Sequence, residues 1–376
     1  MANVIINDTN LTNIANAIRE KNGLTDTYKP SEMATAILAI EASSGSGGDS
    51  ALLDTIIQGE ETFDYVASDN VTAISDYCFY SNTKINSVSG ANITEIGAYA
   101  FQGCTSLTSI DCPLDTLLDR AFFECTSLVN LNDSVKNIAR LNGGIGYHFC
   151  KCSALTEIDL PEVTAIYGSS GYHFDECTNL VTANLPKLTS IAGTYNFAKC
   201  PSLTTVNMPK LTTFPNYMFY NCSALTDISS LSPIKIGSYC FYGCSSLTEI
   251  NFPNATEVGT NAFYNCTKLA KITLPSCTYV ATNAFVNCGF DSTTNTTKYY
   301  VKVDLGPCTT IYSNAFKNVC ISELYLRNTS TVCALNSTFN ITSTDMKIYV
   351  PANLVDSYKT ATNWSTVADY IYAIEE

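Results

Sequence analysis

The chain has 376 residues, of which 46% are hydrophobic and only 14% charged, and its formal net charge is −14. A sizeable core is therefore within reach, while the surface has to be covered mostly by Asn, Thr, Ser and Tyr. The acidic balance argues against nucleic acid and anionic lipid as partners, since both require clustered Lys and Arg.

Residues 1–42 read as two short amphipathic helices. LTNIANAIREK places Leu11, Ile14 and Ile18 on one face, and SEMATAILAI opens behind Pro30 and Ser31. No basic start leads into an apolar run, and no stretch reaches about 18 apolar residues, so neither a secretory leader nor membrane insertion is expected. SSGSGGDS at 43–50 is a flexible linker.

Residues 51–330 carry an internal repeat. Cys104, Cys125, Cys152, Cys177, Cys200, Cys222, Cys244, Cys266 and Cys288 recur at intervals of 21 to 27 residues, settling at 22. Three residues before them stand Phe101, Phe122, Phe149, Phe174, Phe197, Phe219, Phe241, Phe263 and Phe285. Phe79 and Phe316 extend the series, with Asn82 and Val319 in the cysteine place, which gives about eleven coils of 22 to 27 residues. A leucine follows three after the cysteine, then Ile or Val, then often a proline, as in YGCSSLTEINFP at 242–253. The alternation predicts one short strand per coil, ended by a proline that cannot donate to a ladder, and a second short segment such as TEVG leads back to the Phe. A coil this small cannot bury its own apolar face, so neighbours must stack about 4.8 Å apart and share one core. The expected fold is a solenoid.

Gly-rich insertions at 138–146 and 166–171 and DSTTNTTKYY at 291–300 lengthen three coils and are expected to project as loops. Residues 331–376 read as a cap made of a strand, a proline and a helix bearing Leu354, Val355 and Tyr358, with Trp364 available to cover the open end of the core.

The consensus AFxxCTSLTxIxLPxxxTxIG resembles the BspA-like (Treponema-type) leucine-rich repeats, found in bacterial surface proteins, some protist proteins and many phage or prophage proteins. The likeness covers roughly 270 of the 376 residues. It implies a leucine-rich repeat solenoid between a small helical N-terminal module and a C-terminal cap. INDTNLTNIANAIREKNG followed by KPSEMATAILAI resembles a short module that opens phage and prophage tail-associated proteins, and IYVPANLVDSYKTATNWSTVADYI resembles a terminal segment of the same group.

The repeated cysteine reads first as a small buried residue in a structural ladder with the Phe, inert because apolar surroundings raise a thiol pKa. Bridging between coils and metal binding stay open beside it. Parallel Cβ vectors about 4.8 Å apart are wide for a disulfide. His148 and His173 both stand in GYHF and should be stacked neighbours near Cys150, Asp175 and Glu176, yet other coils hold Ala, Asn, Met or Cys at that place and no CxxC pair occurs. No metal, no cofactor and no catalytic residue is therefore assigned, and none of the common nucleotide or hydrolase motifs stands in a strand-to-helix context. The expectation is a non-enzyme.

The residue after the core Ile or Val of each strand points outward, which aligns Asp111, Asn132, Asp159, Asn184, Asn207, Asn251 and Asp304, with Ser229 and Thr273 among them. Glu157, Asp227 and Glu249 belong to a neighbouring column. These columns are either the solvated face of the strands or a polar groove for glycan or protein, helped by Tyr99, Tyr147, Tyr172, Tyr195, Tyr217 and Tyr239, which recur five before the cysteine and could equally be core. Together with the resemblances they imply a phage or prophage tail-associated receptor-binding protein. In that reading residues 1–42 dock to a tail or baseplate component, the solenoid recognises a bacterial surface glycan or protein for host attachment, and the virion component is assembled in the host cytoplasm. The alternative is a leucine-rich repeat adhesin, secreted or on the bacterial cell surface, that mediates protein–protein or host interaction.

Overall fold

The computed structural model describes residues 62–67, 69, 71–129, 131–291, 296–297, 299–338 and 346–375. The expected docking module (1–42), the linker (43–50) and the first part of the lead-in to the repeats lie outside them. The chain divides into two compact units, 1–178 and 179–376.

Both units are parallel β-solenoid, and the described residues make about 13 turns where the repeat count gave eleven. A coil contributes strands to two different ladders. In the first unit one ladder joins Phe63–Val66, Ile85–Ser89 and Ser109–Asp111. The other joins Ala73–Ile74, Glu95–Ile96, Thr116–Leu117, Arg140–Leu141 and Ala165–Ile166. In the second unit the first ladder pairs Thr182–Asn184 with Thr205–Asn207, then resumes through Glu249–Asn251, Lys271–Leu274, Val301–Leu305, Ile321–Leu326, Lys347–Val350 and Ile371–Ala373. The last two lie beyond residue 330: the alternation in KIYV and IYA continues the sheet through the segment read as a cap.

The turns form a third ladder. The N–H groups of Tyr239, Phe241 and Gly243 donate to the carbonyls of Thr260, Ala262 and Tyr264 one coil on, at 2.9, 2.8 and 2.8 Å. Reaching that geometry puts two residues of each turn in the left-handed region, five before and one before the cysteine: Tyr217 and Asn221 (φ 60° and 58°), or Asn261 and Asn265 (54° and 61°). Side chains disfavour that region, and Asn tolerates it best. The glycine of TEVG has another cause. A Cβ on Gly259 would stand 2.7 Å from the backbone of Gly237 and Ser238, because successive coils approach more closely there than a side chain permits.

The core lies between the ladders. Phe79, Phe101, Phe122, Phe149 and Phe174 stack with centroids 5.2 to 5.5 Å apart in the first unit, and Phe197 through Phe316 stack at 5.1 to 5.7 Å in the second. The Leu and Ile columns beside them, such as Leu247 and Ile250, are buried, each such side chain contributing about 1.5–3 kcal/mol.

The insertions are more ordered than projecting loops. Gly146 bridges Gly171, Ser169 and Ser170 donate to the carbonyls of Gly144 and Ile145, and the Asp119 carboxylate accepts from the N–H groups of Gly144, Ile145 and Gly146. Phe290–Asp291 and Thr296–Thr297 pair as a small antiparallel hairpin. At the far end the helix Val355–Thr360 supplies Tyr358, whose hydroxyl accepts from the Cys333 N–H at 2.9 Å, while Trp364 donates its indole N–H to the Cys333 carbonyl at 2.6 Å. Both rings are fully buried.

Candidate binding face

The cysteine ladder is built into the backbone. Cys104, Cys125, Cys152 and Cys177 in the first unit each point Sγ at the carbonyl of the Phe one coil earlier, and Cys222, Cys244, Cys266 and Cys288 do so in the second, at 2.9 to 3.3 Å. The thiol must keep its proton to donate there, and burial pushes Cys104 up to about 12. At the position of Asn82 the side-chain oxygen accepts instead from the N–H groups of Lys84 and Ile85. A second column, Cys277, Cys308 and Cys333, runs beside the other strand ladder, with Cys333 and Cys308 sulfurs 3.7 Å apart. None of the seventeen cysteines, all of them among the described residues, is in a disulfide, and all but Cys78 are buried. Native protein treated with excess iodoacetamide is accordingly expected to be modified at Cys78 and little elsewhere, and unreduced protein in denaturant at all seventeen positions; mass spectrometry reads both.

His148 and His173 are fully buried, with Nδ1 atoms 2.7 Å apart and rings stacked at 4.9 Å. His148 Nε2 faces the Asn142 carbonyl at 2.8 Å, so it carries a proton and donates. Its Nδ1 is then the acceptor, and His173 Nδ1 donates to it. Burial holds the His148 pKa down to about 4. The pair is thus a neutral polar clasp on the glycine-rich insertion. Among the described residues, no three of His, Cys, Asp and Glu are grouped to hold a metal ion.

The strand face shows which outward residues come together. Asp111 lies in the first unit beside Ser89, and Asp159 and Glu157 on the strand Glu157–Asp159, all with solvent access. Asn132 departs from the expected column: Asn132–Val135 is a 3-10 turn, so this coil contributes no strand there. In the second unit Asn207 donates its amide N–H to the Asn184 side-chain oxygen at 2.7 Å. The column then breaks. Asp227 touches Thr205 by one isolated bridge, and its carboxylate accepts from both the N–H and the hydroxyl of Ser229, which lowers its pKa and folds the chain into a turn in place of a strand.

Beyond the break the register is continuous. Asn251, Thr273, Asp304, Tyr325, Tyr349 and Tyr372 align in one column, and Glu249, Lys271, Lys302, Glu323 and Lys347 in the next. Arg327 forks onto Asp304 with two bonds of 2.8 Å. Lys271 meets Glu249 at 3.3 Å, and Lys302 meets Glu323 at 2.6 Å, a contact that lowers the Glu323 pKa and raises that of Lys302. Such exposed pairs contribute little stability. Their effect is to hold charged heads in fixed order along the sheet. Lys302, Glu323, Tyr325, Lys347 and Tyr349 were not singled out from sequence; the period-two alternation of VKVDL, ISELYL and KIYV was the signal that marked them.

The tyrosines named beside this groove lie on the turns. Tyr99, Tyr147, Tyr172, Tyr195, Tyr217 and Tyr239 occupy the left-handed position of the turn ladder. In the first unit Arg120 takes that position, its guanidinium 5.4 Å from the Tyr99 ring and 4.7 Å from that of Tyr147.

The BspA type leucine-rich repeat region matches residues 62–168, 144–254 and 229–344. A leucine-rich repeat protein from Bacteroides ovatus is 19% identical over 85% of either chain with a TM-score of 0.56, and so shares the fold. A leucine rich cell surface protein from Faecalibacterium prausnitzii is 18% identical over 74% of this chain and 88% of its own (TM-score 0.41). A leucine rich repeat protein of T. pallidum is 22% identical over 50% and 79% (TM-score 0.36). A search of curated proteins gives no match. The repeats, matched from residue 62 to residue 344, place this chain in the BspA type leucine-rich repeat family.

Proposed function

We propose that the chain is a non-enzymatic binding protein of the adhesion type, acting at a bacterial cell surface, that engages a surface glycan or protein across its strand face. Family membership supports a binding scaffold. The observation that carries the reading is the second unit's outward sheet, where two adjacent columns of polar and aromatic side chains run in register, one over six strands and the other over five. Repeat scaffolds recognise partners over such extended faces. Among the described residues no helix is long and apolar enough to cross a membrane. The comparisons favour this surface reading over docking of residues 1–42 to a phage tail, for which they offer no support.

The test is a titration of fluorescently labelled full-length chain over bacterial cells and immobilised extracellular matrix proteins. Saturable binding is expected, and the double variant Asn251→Arg, Thr273→Arg should lower it at least tenfold while leaving the melting temperature unchanged, because both side chains point outward. Equal binding by that variant would move recognition off the strand face.

A further inference from the structure

The turn ladder of the second unit carries a feature that the strand face does not use. Tyr195, Tyr217 and Tyr239 stack with centroids 4.3 and 4.7 Å apart. Beside them Tyr220, Tyr242 and Tyr264 stack at 4.9 and 5.1 Å. The two columns lie side by side, Tyr217 being 5.8 Å from Tyr220 and Tyr239 5.8 Å from Tyr242. All six rings are half-buried. Their stacking covers the ring faces and leaves the edges and hydroxyls toward solvent. Among the described residues, none hydrogen-bonds the hydroxyl of Tyr217, Tyr220, Tyr239, Tyr242 or Tyr264, whereas the Tyr325 hydroxyl donates to Glu323 and that of Tyr358 accepts from a backbone N–H.

Two properties narrow what such a comb fits. The first is charge. The turns 215–224 and 237–246 contain no Asp, Glu, Lys or Arg, and the turns on either side, 193–202 and 259–268, contain one charged residue each, Lys199 and Lys268, in a chain of net charge −14. A charged ligand finds no counter-ion on the two middle turns, and a neutral one strips no ion of its water there. The second is period. The stacked phenol rings recur every 4.3 to 5.1 Å. An extended peptide presents like side chains about every 6.6–6.8 Å and falls out of step within two rungs. A linear pyranose chain advances roughly 5 Å per ring, the span of a few covalent bonds of about 1.5 Å, and stays in step.

We infer that the paired tyrosine columns of residues 217–264 are a second binding site, for an extended neutral polysaccharide, with one sugar ring seated per coil and held by hydrogen bonds to the phenolic hydroxyls. This site is separate from the strand face and does not depend on it.

Native affinity electrophoresis of the full chain tests this directly, because an acidic protein runs freely toward the anode unless the gel retains it. Gels containing xyloglucan, galactomannan or mixed-linkage β-glucan are expected to retard it, and gels containing polygalacturonate to leave it unretarded. The triple variant Tyr217→Phe, Tyr239→Phe, Tyr242→Phe keeps the stacked rings and removes the hydroxyls, and should bind at least tenfold more weakly. A second variant, Tyr217→Asn, Tyr239→Asn, Tyr242→Ala, uses residues found at the equivalent places in other coils, Asn261, Asn283 and Ala198, and should abolish retardation. The strand-face variant Asn251→Arg, Thr273→Arg should be retarded like the native chain, once its two added charges are allowed for against an unloaded gel. Absence of retardation by every neutral polysaccharide overturns the inference, as does undiminished retardation of the phenylalanine variant. Capture by this face of a protein or an acidic glycan in place of a neutral one overturns it equally.

Discussion

Replacing Phe241 by Ala is expected to destabilise the surrounding coils by about 3–5 kcal/mol, the cost of deleting a fully buried aromatic ring whose site cannot collapse. The ring is wholly buried and stacks on Phe219 at 5.3 Å and Phe263 at 5.1 Å, with Phe214 and Phe252 at 6.1 and 6.2 Å. Collapse is resisted because the turn ladder and the ladder through Thr213–Phe214, Lys235–Ile236 and Glu257–Val258 fix the spacing of the coils on both sides of the cavity. A solenoid is close to a one-dimensional chain of contacts, so the damage should be local. Hydrogen exchange is expected to accelerate in the coils containing Phe219, Phe241 and Phe263 and to stay unchanged in the coils bearing Phe79 and Phe101. A urea transition shifted by less than about 1 kcal/mol would mean that the Phe column is a consequence of stacking and not a cause.

The second large effect is an acid-induced loss of stability that begins well above the carboxylate range. Burial lowers the His148 pKa to about 4, below the ordinary value of 6.5. Below pH 6.5 the unfolded chain takes up a proton that the folded chain refuses. The stabilising contribution is therefore complete above pH 6.5 and is lost as pH falls through the folded value near 4. A shift of that size corresponds to about 3 kcal/mol at the bottom of the window. Thermal melts between pH 7 and pH 4 should show it, and the double variant His148→Ala, His173→Ala, which copies the alanine of other coils, should flatten that window. The fall below pH 4, where Asp64, Asp227 and Glu323 with their lowered pKa values take up protons, should remain. An identical profile for the double variant would remove the histidine pair from the account.

The solenoid was legible in the sequence because its core is written by a fixed offset: Phe, three residues to Cys, three to Leu, three to Ile. Burial depends on side-chain type, and side-chain type repeats. What the offsets did not reveal is backbone geometry. The pairing of Tyr or Asn five before the cysteine with Gly, Asn, Glu or Lys one before it looks like loose surface variation, yet both places share a left-handed conformation. That shared conformation places the tyrosines on the turn ladder. Asn132 failed for a related reason: VNLNDSV keeps the apolar spacing, but the chain closes into a 3-10 turn where other coils extend. Beyond residue 330 the expected strand before Pro351 is Lys347–Val350, and only the short strand Ile371–Ala373 was not read, because the Phe and Cys marks have stopped there.

The left-handed turn position has a consequence for how such a chain can diversify. Tyr217, Tyr239, Asn261, Asn283 and Asn314 hold one backbone shape with two very different side chains. What the turn displays is thereby uncoupled from what the turn needs in order to close. Exchange of residues at this single place lets a lineage rewrite the display of one coil at a time, lengthening, shortening or interrupting a phenolic row while the Phe and Cys beneath it are left alone. The scaffold behaves as type set in a fixed frame, and selection on a ligand can act on the letters without disturbing the press.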